Sequence, residues 1–167
     1  GNEFDFDKIK NILNVKGNVI IYDDVNKIIL KSEKFTYLKN NEIIYTKSKT
    51  ITEFNNEYFL DTEELTFDRS NKIIFSKKKV KIKDLNGNIS SMSKFNLSLL
   101  TKLLKGDNLE YLDLTSNKIF IKKAVINLQT KEVIGKDPKI IFDNKSFGNQ
   151  VNEPRLKGNS IKINKGN

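Results

Sequence analysis

Apolar residues lead this chain at positions 15, 30, 45, 60 and 75, one every 15 residues. Val15 is followed five and seven residues on by Ile20 and Tyr22, Leu30 by Phe35 and Tyr37, Leu60 by Leu65 and Phe67, and Phe75 by Val80 and Ile82. The phrase then drifts but recurs, as Met92 with Leu97 and Leu99, Leu104 with Leu109 and Tyr111, Ile121 with Ile126 and Leu128, and Leu156 with Ile161 and Ile163. Tyr45 with Ile51, and Ile134 with Ile140 and Phe142, keep it with the offset stretched by one. In a chain that is 37% hydrophobic, single triplets of this kind arise by chance. The even early spacing does not. A fixed period marks a repeat architecture whose units bury one face against their neighbours.

Turn chemistry separates the units. Asp23-Asp24-Val25-Asn26, Lys39-Asn40-Asn41-Glu42, Asn55-Asn56, Asp68-Arg69-Ser70-Asn71, Thr115-Ser116-Asn117 and Gln129-Thr130-Lys131 all fall between apolar runs. Asp84-Leu85-Asn86-Gly87-Asn88 carries the strongest hairpin signal, because Asn-Gly tolerates positive φ at both central positions. Between the turns lie segments of about ten residues rich in β-branched and aromatic side chains, the composition of strands. Short turns favour antiparallel neighbours. The offset of five adds a constraint, since residues five apart on a flat strand face opposite ways. If Phe75, Val80 and Ile82 share one interior, the strand bulges or bends within Lys77, Lys78 and Lys79, or crosses there between sheets. The expected fold is therefore all-β: an antiparallel jelly-roll or open sandwich of repeated long kinked strands. Residues 1–13 are expected to form a lead-in segment and residues 14–167 one domain, which ends on a fresh strand as though more chain followed.

Composition narrows the chemistry. The chain has no Cys and no His, which removes disulfides, thiolate sites, the usual general base and the commonest metal ligand. No apolar run approaches the ~18 residues of a membrane-spanning helix. Asp23/Asp24 lies in a turn, and the adjacent strand residues Glu63/Glu64 point to opposite faces. No calcium loop, nucleophile elbow or phosphate-cradling glycine loop is present. An enzyme is not expected, nor a cofactor. The net charge of +9 makes an anionic partner possible. Its spread over every unit, in a chain rich in Lys, Asn and Ile, equally fits AT-rich coding, and both origins stay open.

Val15-Lys-Gly-Asn-Val-Ile-Ile21, Leu30-Lys-Ser-Glu-Lys-Phe-Thr-Tyr37 and Leu104-Lys-Gly-Asp-Asn-Leu-Glu-Tyr111 resemble the units of the OstA-like lipopolysaccharide-transport domains. The resemblance covers roughly residues 14–142. Glu153-Pro-Arg-Leu-Lys-Gly158 is similar to the segment that precedes the membrane barrel in some members. That favours the N-terminal periplasmic domain of an outer-membrane assembly protein over a free-standing periplasmic bridge protein. The resemblance implies a jelly-roll open along one side, whose interior holds acyl chains of lipopolysaccharide or a similar anionic glycolipid. It further implies edge-strand pairing with other jelly-roll transport proteins, a barrel in the same chain, a periplasmic location and no catalytic residues. Some members carry cysteines near this domain; this chain has none.

An interior groove would be lined by the apolar positions after each polar run: Phe35, Tyr37, Ile51, Phe67, Ile82, Leu97, Tyr111, Ile126 and Phe142. The same residues would fill a dry core in an ordinary sandwich. Lys77, Lys78 and Lys79, with Lys122/Lys123 and Lys47/Lys49, would meet lipid phosphates at a rim or simply form a solvated face. Two other classes remain: a basic nucleic-acid-binding β domain and a structural or adhesin-like β module. The first needs aromatic residues interleaved with Lys or Arg on an exposed face. The aromatics here fall mostly at expected inward positions, so no nucleic-acid partner is expected.

Overall fold

The computed structural model describes residues 1–112, 116–143 and 154–164. Among these there is no α-helix, and one continuous antiparallel sheet of 16 strands accounts for most of the chain. β1 (Glu3–Asp7) pairs with residues 12–16 of β2 (Ile12–Asp23), so part of the expected lead-in is a strand; β2 then pairs along its length with β3 (Ile28–Leu38). From β3 onward the chain meanders in long passes, each folded near its middle. β4 (Ile43–Thr46) and β5 (Thr50–Phe54) make one pass, β6 (Tyr58–Thr62) and β7 (Leu65–Asp68) the next. β8 (Ile73–Ser76) continues into β9 (Val80–Asp84), and β10 (Ile89–Met92) into β11 (Lys94–Ser98). β12 (Leu103–Leu112), β13 (Lys118–Asn127) and β14 (Val133–Ile141) run through the fold unbroken, and β15 (Arg155–Lys157) with β16 (Ser160–Ile163) make the last pass.

Each pass belongs to two walls. Residues 28–32 of β3 pair with β5 and residues 36–38 pair with β4. One ladder runs β3–β5–β6–β9–β10 and the other β3–β4–β7–β8–β11, and both return to the two halves of β12. Two walls joined along their bends, with their inner faces together, give the jelly-roll-like all-β sandwich that the sequence pattern predicts. The 15-residue period is one folded pass plus one turn.

The bends of β2 to β14 lie at residues 16–18, 33–34, 47–49, 63–64, 77–79, 93–94, 107–108, 122–123 and 136–137. Three devices make them. In β2, β12 and β14 a left-handed residue turns the strand: Gly17 and Asn18 (φ 80° and 48°), Asn108 (φ 52°) and Asp137 (φ 52°). Between β4 and β5, β6 and β7, β8 and β9, and β10 and β11 a short polar run leaves the ladder, as at Lys77, Lys78 and Lys79, while in β3 and β13 single residues, Glu33 and Lys122, drop out of the pairing. Some turns between passes are fixed by aspartate: Asp68 accepts from the Asn71 N–H at 2.9 Å and its side-chain amide at 2.8 Å, and Asp84 accepts likewise from Asn88. At Asn86-Gly87 the hairpin differs from expectation. Only Gly87 is left-handed (φ 82°), and its N–H closes onto the Asp84 carbonyl in a longer loop than a two-residue turn.

Bend length decides which residues face inward. Leu60 and Leu65 are both buried, five apart across the two-residue bend at 63–64. Across the three-residue bends the inward pairs are six apart: Ile44 with Thr50, and Ile74 with Val80. Phe75, the residue expected to lead its unit, therefore faces outward, and so do Tyr45 and Ile51. In β2 the left-handed pair shifts the register between Lys16 and Val19, so Val19 is buried while Ile20 and Tyr22 are 46% and 65% exposed. A one-residue slip on a strand changes the face of every side chain that follows.

Candidate lipid-facing interior

Leu30, Phe54, Phe67, Ile74, Val80, Met92, Leu97 and Leu104 have no exposed surface, so the middle of the sandwich is filled. The expected groove residues divide around this core. Phe35, Phe67, Ile82 and Leu97 are buried within it. Tyr37, Tyr111 and Ile126 are half-buried and pack against it. Phe142 is half-buried beyond the end of β14, where its N–H donates to the Pro154 carbonyl at 3.1 Å. Ile51 is the exception: it is 40% exposed on the outer face, because the inward pair across the three-residue bend at 47–49 is Ile44 with Thr50, so Tyr45 and Ile51 both point out. Val19, Ile28, Phe54, Ile74 and Ile119 are core residues outside that set.

The interior loosens towards the ends of the stack. Leu13 and Ile21 are half-buried against the core at the β2 end, as are Val133, Ile140, Ile161 and Ile163 at the β14–β16 end. A stripe of hydroxyls runs along the inner crease of the bends, where the polar runs have withdrawn their backbone from the ladder. The Ser32 hydroxyl lies 2.7 Å from the Lys49 carbonyl, Thr50 donates to the Ser48 carbonyl at 2.9 Å, and Thr62 donates to the Lys79 carbonyl at 3.1 Å. These bonds satisfy groups that the bends would otherwise orphan. Thr52, between Leu30 and Leu60 in the ladder, is fully buried with no partner for its hydroxyl. Thr52→Val is therefore expected to stabilise the protein by about 1 kcal/mol, because an apolar isostere removes an uncompensated desolvation cost. A denaturation midpoint unchanged or lowered in Thr52→Val would show that the hydroxyl is satisfied.

Opposite the bends the tips of the two walls meet along a seam that no strand pairing bridges among the described residues. The Tyr58 hydroxyl of the first wall donates to the Leu128 carbonyl of the second at 3.2 Å. The Lys102 ammonium lies 4.9 Å from the centre of the Phe54 ring, a cation–π contact across the same line. Burial, and then the charges of Glu57 and Asp84, raise the Tyr58 pKa above the ordinary phenol value, so its hydroxyl stays protonated and able to donate. Tyr37 is tied elsewhere. Its hydroxyl donates to Glu42 at 2.6 Å, and Arg69 holds the other Glu42 oxygen at 2.6 Å. Burial first, then Glu42, raises its pKa.

Lys77, Lys78 and Lys79 are exposed on the convex side of their bend, while Ser76 and Val80 on either side of the run are buried. The run thus lies behind the interior instead of at its mouth. Among the described residues no group of acidic side chains is arranged to hold a metal ion. No family model matches the chain, and no curated protein matches it.

Proposed function

We propose that this chain is a lipid-carrying jelly-roll module, which shields the acyl chains of an anionic glycolipid of the lipopolysaccharide type between its walls. It hands them to a like module joined at the end of the stack, at the periplasmic side of an outer membrane. The observation that carries this reading is an apolar interior that runs from β2 to β16 and is only half covered at both ends. Residues 19–23 of β2 are left without an outer partner by β1, and β15 with β16 forms the opposite edge. Edges of this kind accept a strand from a neighbouring sheet. The filled middle requires the walls to part along the seam before acyl chains enter, which breaks the Tyr58 hydrogen bond and the Lys102 cation–π contact that cross it. The repeat's likeness to OstA-like domains supports the same reading.

The filled middle also favours a second reading, a structural β module with a permanently dry core. Photo-crosslinking to purified lipopolysaccharide separates the two. Probes at Tyr111 and Ile126 are expected to give lipid adducts, while probes at the turn residue Asn71 and the outward Ile51 give none. Silence at Tyr111, Ile126 and further inward probes would leave the structural module as the function.

A further inference from the structure

The bends stack. Ser32, Thr50, Thr62, Val80 and Met92 are successive partners across the first wall, each beside its own bend, and Lys94, Asp107, Lys123 and Lys136 continue the row through the later passes. At ~4.8 Å per strand, the nine bends make a ridge roughly 40 Å long down the back of the molecule. Eleven lysines stand on it against five carboxylates, so +6 of the chain's net charge of +9 lies along this one line. Ion pairs neutralise some of these lysines, as Lys49 with Asp61 at 3.4 Å and Lys94 with Asp107 at 3.0 Å. Lys47, Lys77, Lys78, Lys79, Lys123 and Lys136 are exposed and make no ion pair among the described residues.

We infer that this ridge docks the module lengthwise on an anionic bilayer surface. The shape selects the partner. A single-stranded nucleic acid tracks a groove lined with stacking rings. Here the charge stands on a convex corner, and the cleft of about 210 Å³ beside Lys47 and Lys77 offers only two rings, Tyr45 and Phe75, together with the carboxylate of Glu64, which repels a phosphate backbone. A surface of headgroup phosphates can meet ammonium groups on a convex row without any groove. The inference does not depend on lipid entering the interior, because the ridge faces away from it.

Co-sedimentation of the whole chain with vesicles tests it. Vesicles containing phosphatidylglycerol are expected to bind, phosphatidylcholine vesicles not, and added salt to weaken the binding. Replacing Lys77, Lys78 and Lys79 together by Gln is expected to weaken binding about tenfold or more. The same charge change at Lys31, Lys81 and Lys83, exposed on the first wall's outer face, should have a much smaller effect. Circular dichroism melting checks that both variants fold. Equal losses from the two triple variants would overturn the ridge in favour of diffuse attraction. Indifference to anionic vesicles, with or without tight binding of a single-stranded oligonucleotide, would overturn membrane docking. Interior photo-adducts report separately on the carrier reading.

Discussion

Ile74→Ala is expected to lower the unfolding free energy by about 3–4 kcal/mol, and Phe75→Ala, one residue on, by only about 1 kcal/mol. Ile74 has no exposed surface and sits in the ladder between Phe67 and Leu97, which have none either. Both flanking strands are held by backbone hydrogen bonds, so the walls cannot close over the deleted carbons. The cost is then the lost transfer energy together with the cavity. Phe75 is larger but points the other way, beside Thr66 and Asn96 on the outer face, and is only half-buried. Chemical denaturation of the two variants reads the register of the whole second wall. If Phe75→Ala were the more damaging, β8 would be slipped by one residue and every inward assignment on it would reverse.

That pair also shows what the sequence made legible. The period, the antiparallel meander and the places of the turns follow from local chemistry: aspartate and asparagine between β-branched segments; the bend within the lysine run is present too, although Phe75, from which it is inferred, faces outward. Phe35, Phe67, Ile82 and Leu97 were identifiable as inward for the same reason. Facing direction at Phe75 was not, because it turns on whether a bend spends two or three residues; at Tyr45 and Ile51 the longer offset was right, but two apolar neighbours, Ile44 and Tyr45, could equally have led the unit and the inward one is Ile44. Ile20 and Tyr22 were misplaced by the left-handed pair at Gly17 and Asn18, whose register shift requires a partner strand to be seen. The ridge was hidden for another reason. Its lysines are dispersed along the chain and become one feature only when the passes stack, so a charge that looked evenly spread is concentrated in space.

Gly106→Ala is expected to destabilise the protein by about 2–3 kcal/mol. β12 stays one strand through its corner, and Gly106 beside that corner is paired on both sides, with Phe95 and Ala124, so the neighbouring pass comes close on the inner side. A Cβ on Gly106 would meet the Lys94 carbonyl oxygen at 2.7 Å and run into the sulfur of Met92. Gly135 lies two strands along the same cross-strand row, with Ala124 between, and its added Cβ would meet the Lys123 carbonyl at 2.9 Å and the Ile121 side chain. Small residues recur there because two backbones share the corner. Met92 can be removed and the carbonyl cannot, which gives the test its resolution. Met92→Ala alone opens a cavity in a fully buried site and is expected to cost about 2–4 kcal/mol. Combined with Gly106→Ala, the total should fall short of the sum by about 1 kcal/mol, since the vacated volume admits the new methyl. The remainder persists because the Lys94 carbonyl belongs to the paired strand. Strict additivity of the two changes would mean that Met92 does not sit over Gly106. Complete rescue would mean that the backbone at this corner yields, and the corner would then be soft enough for the walls to hinge about it.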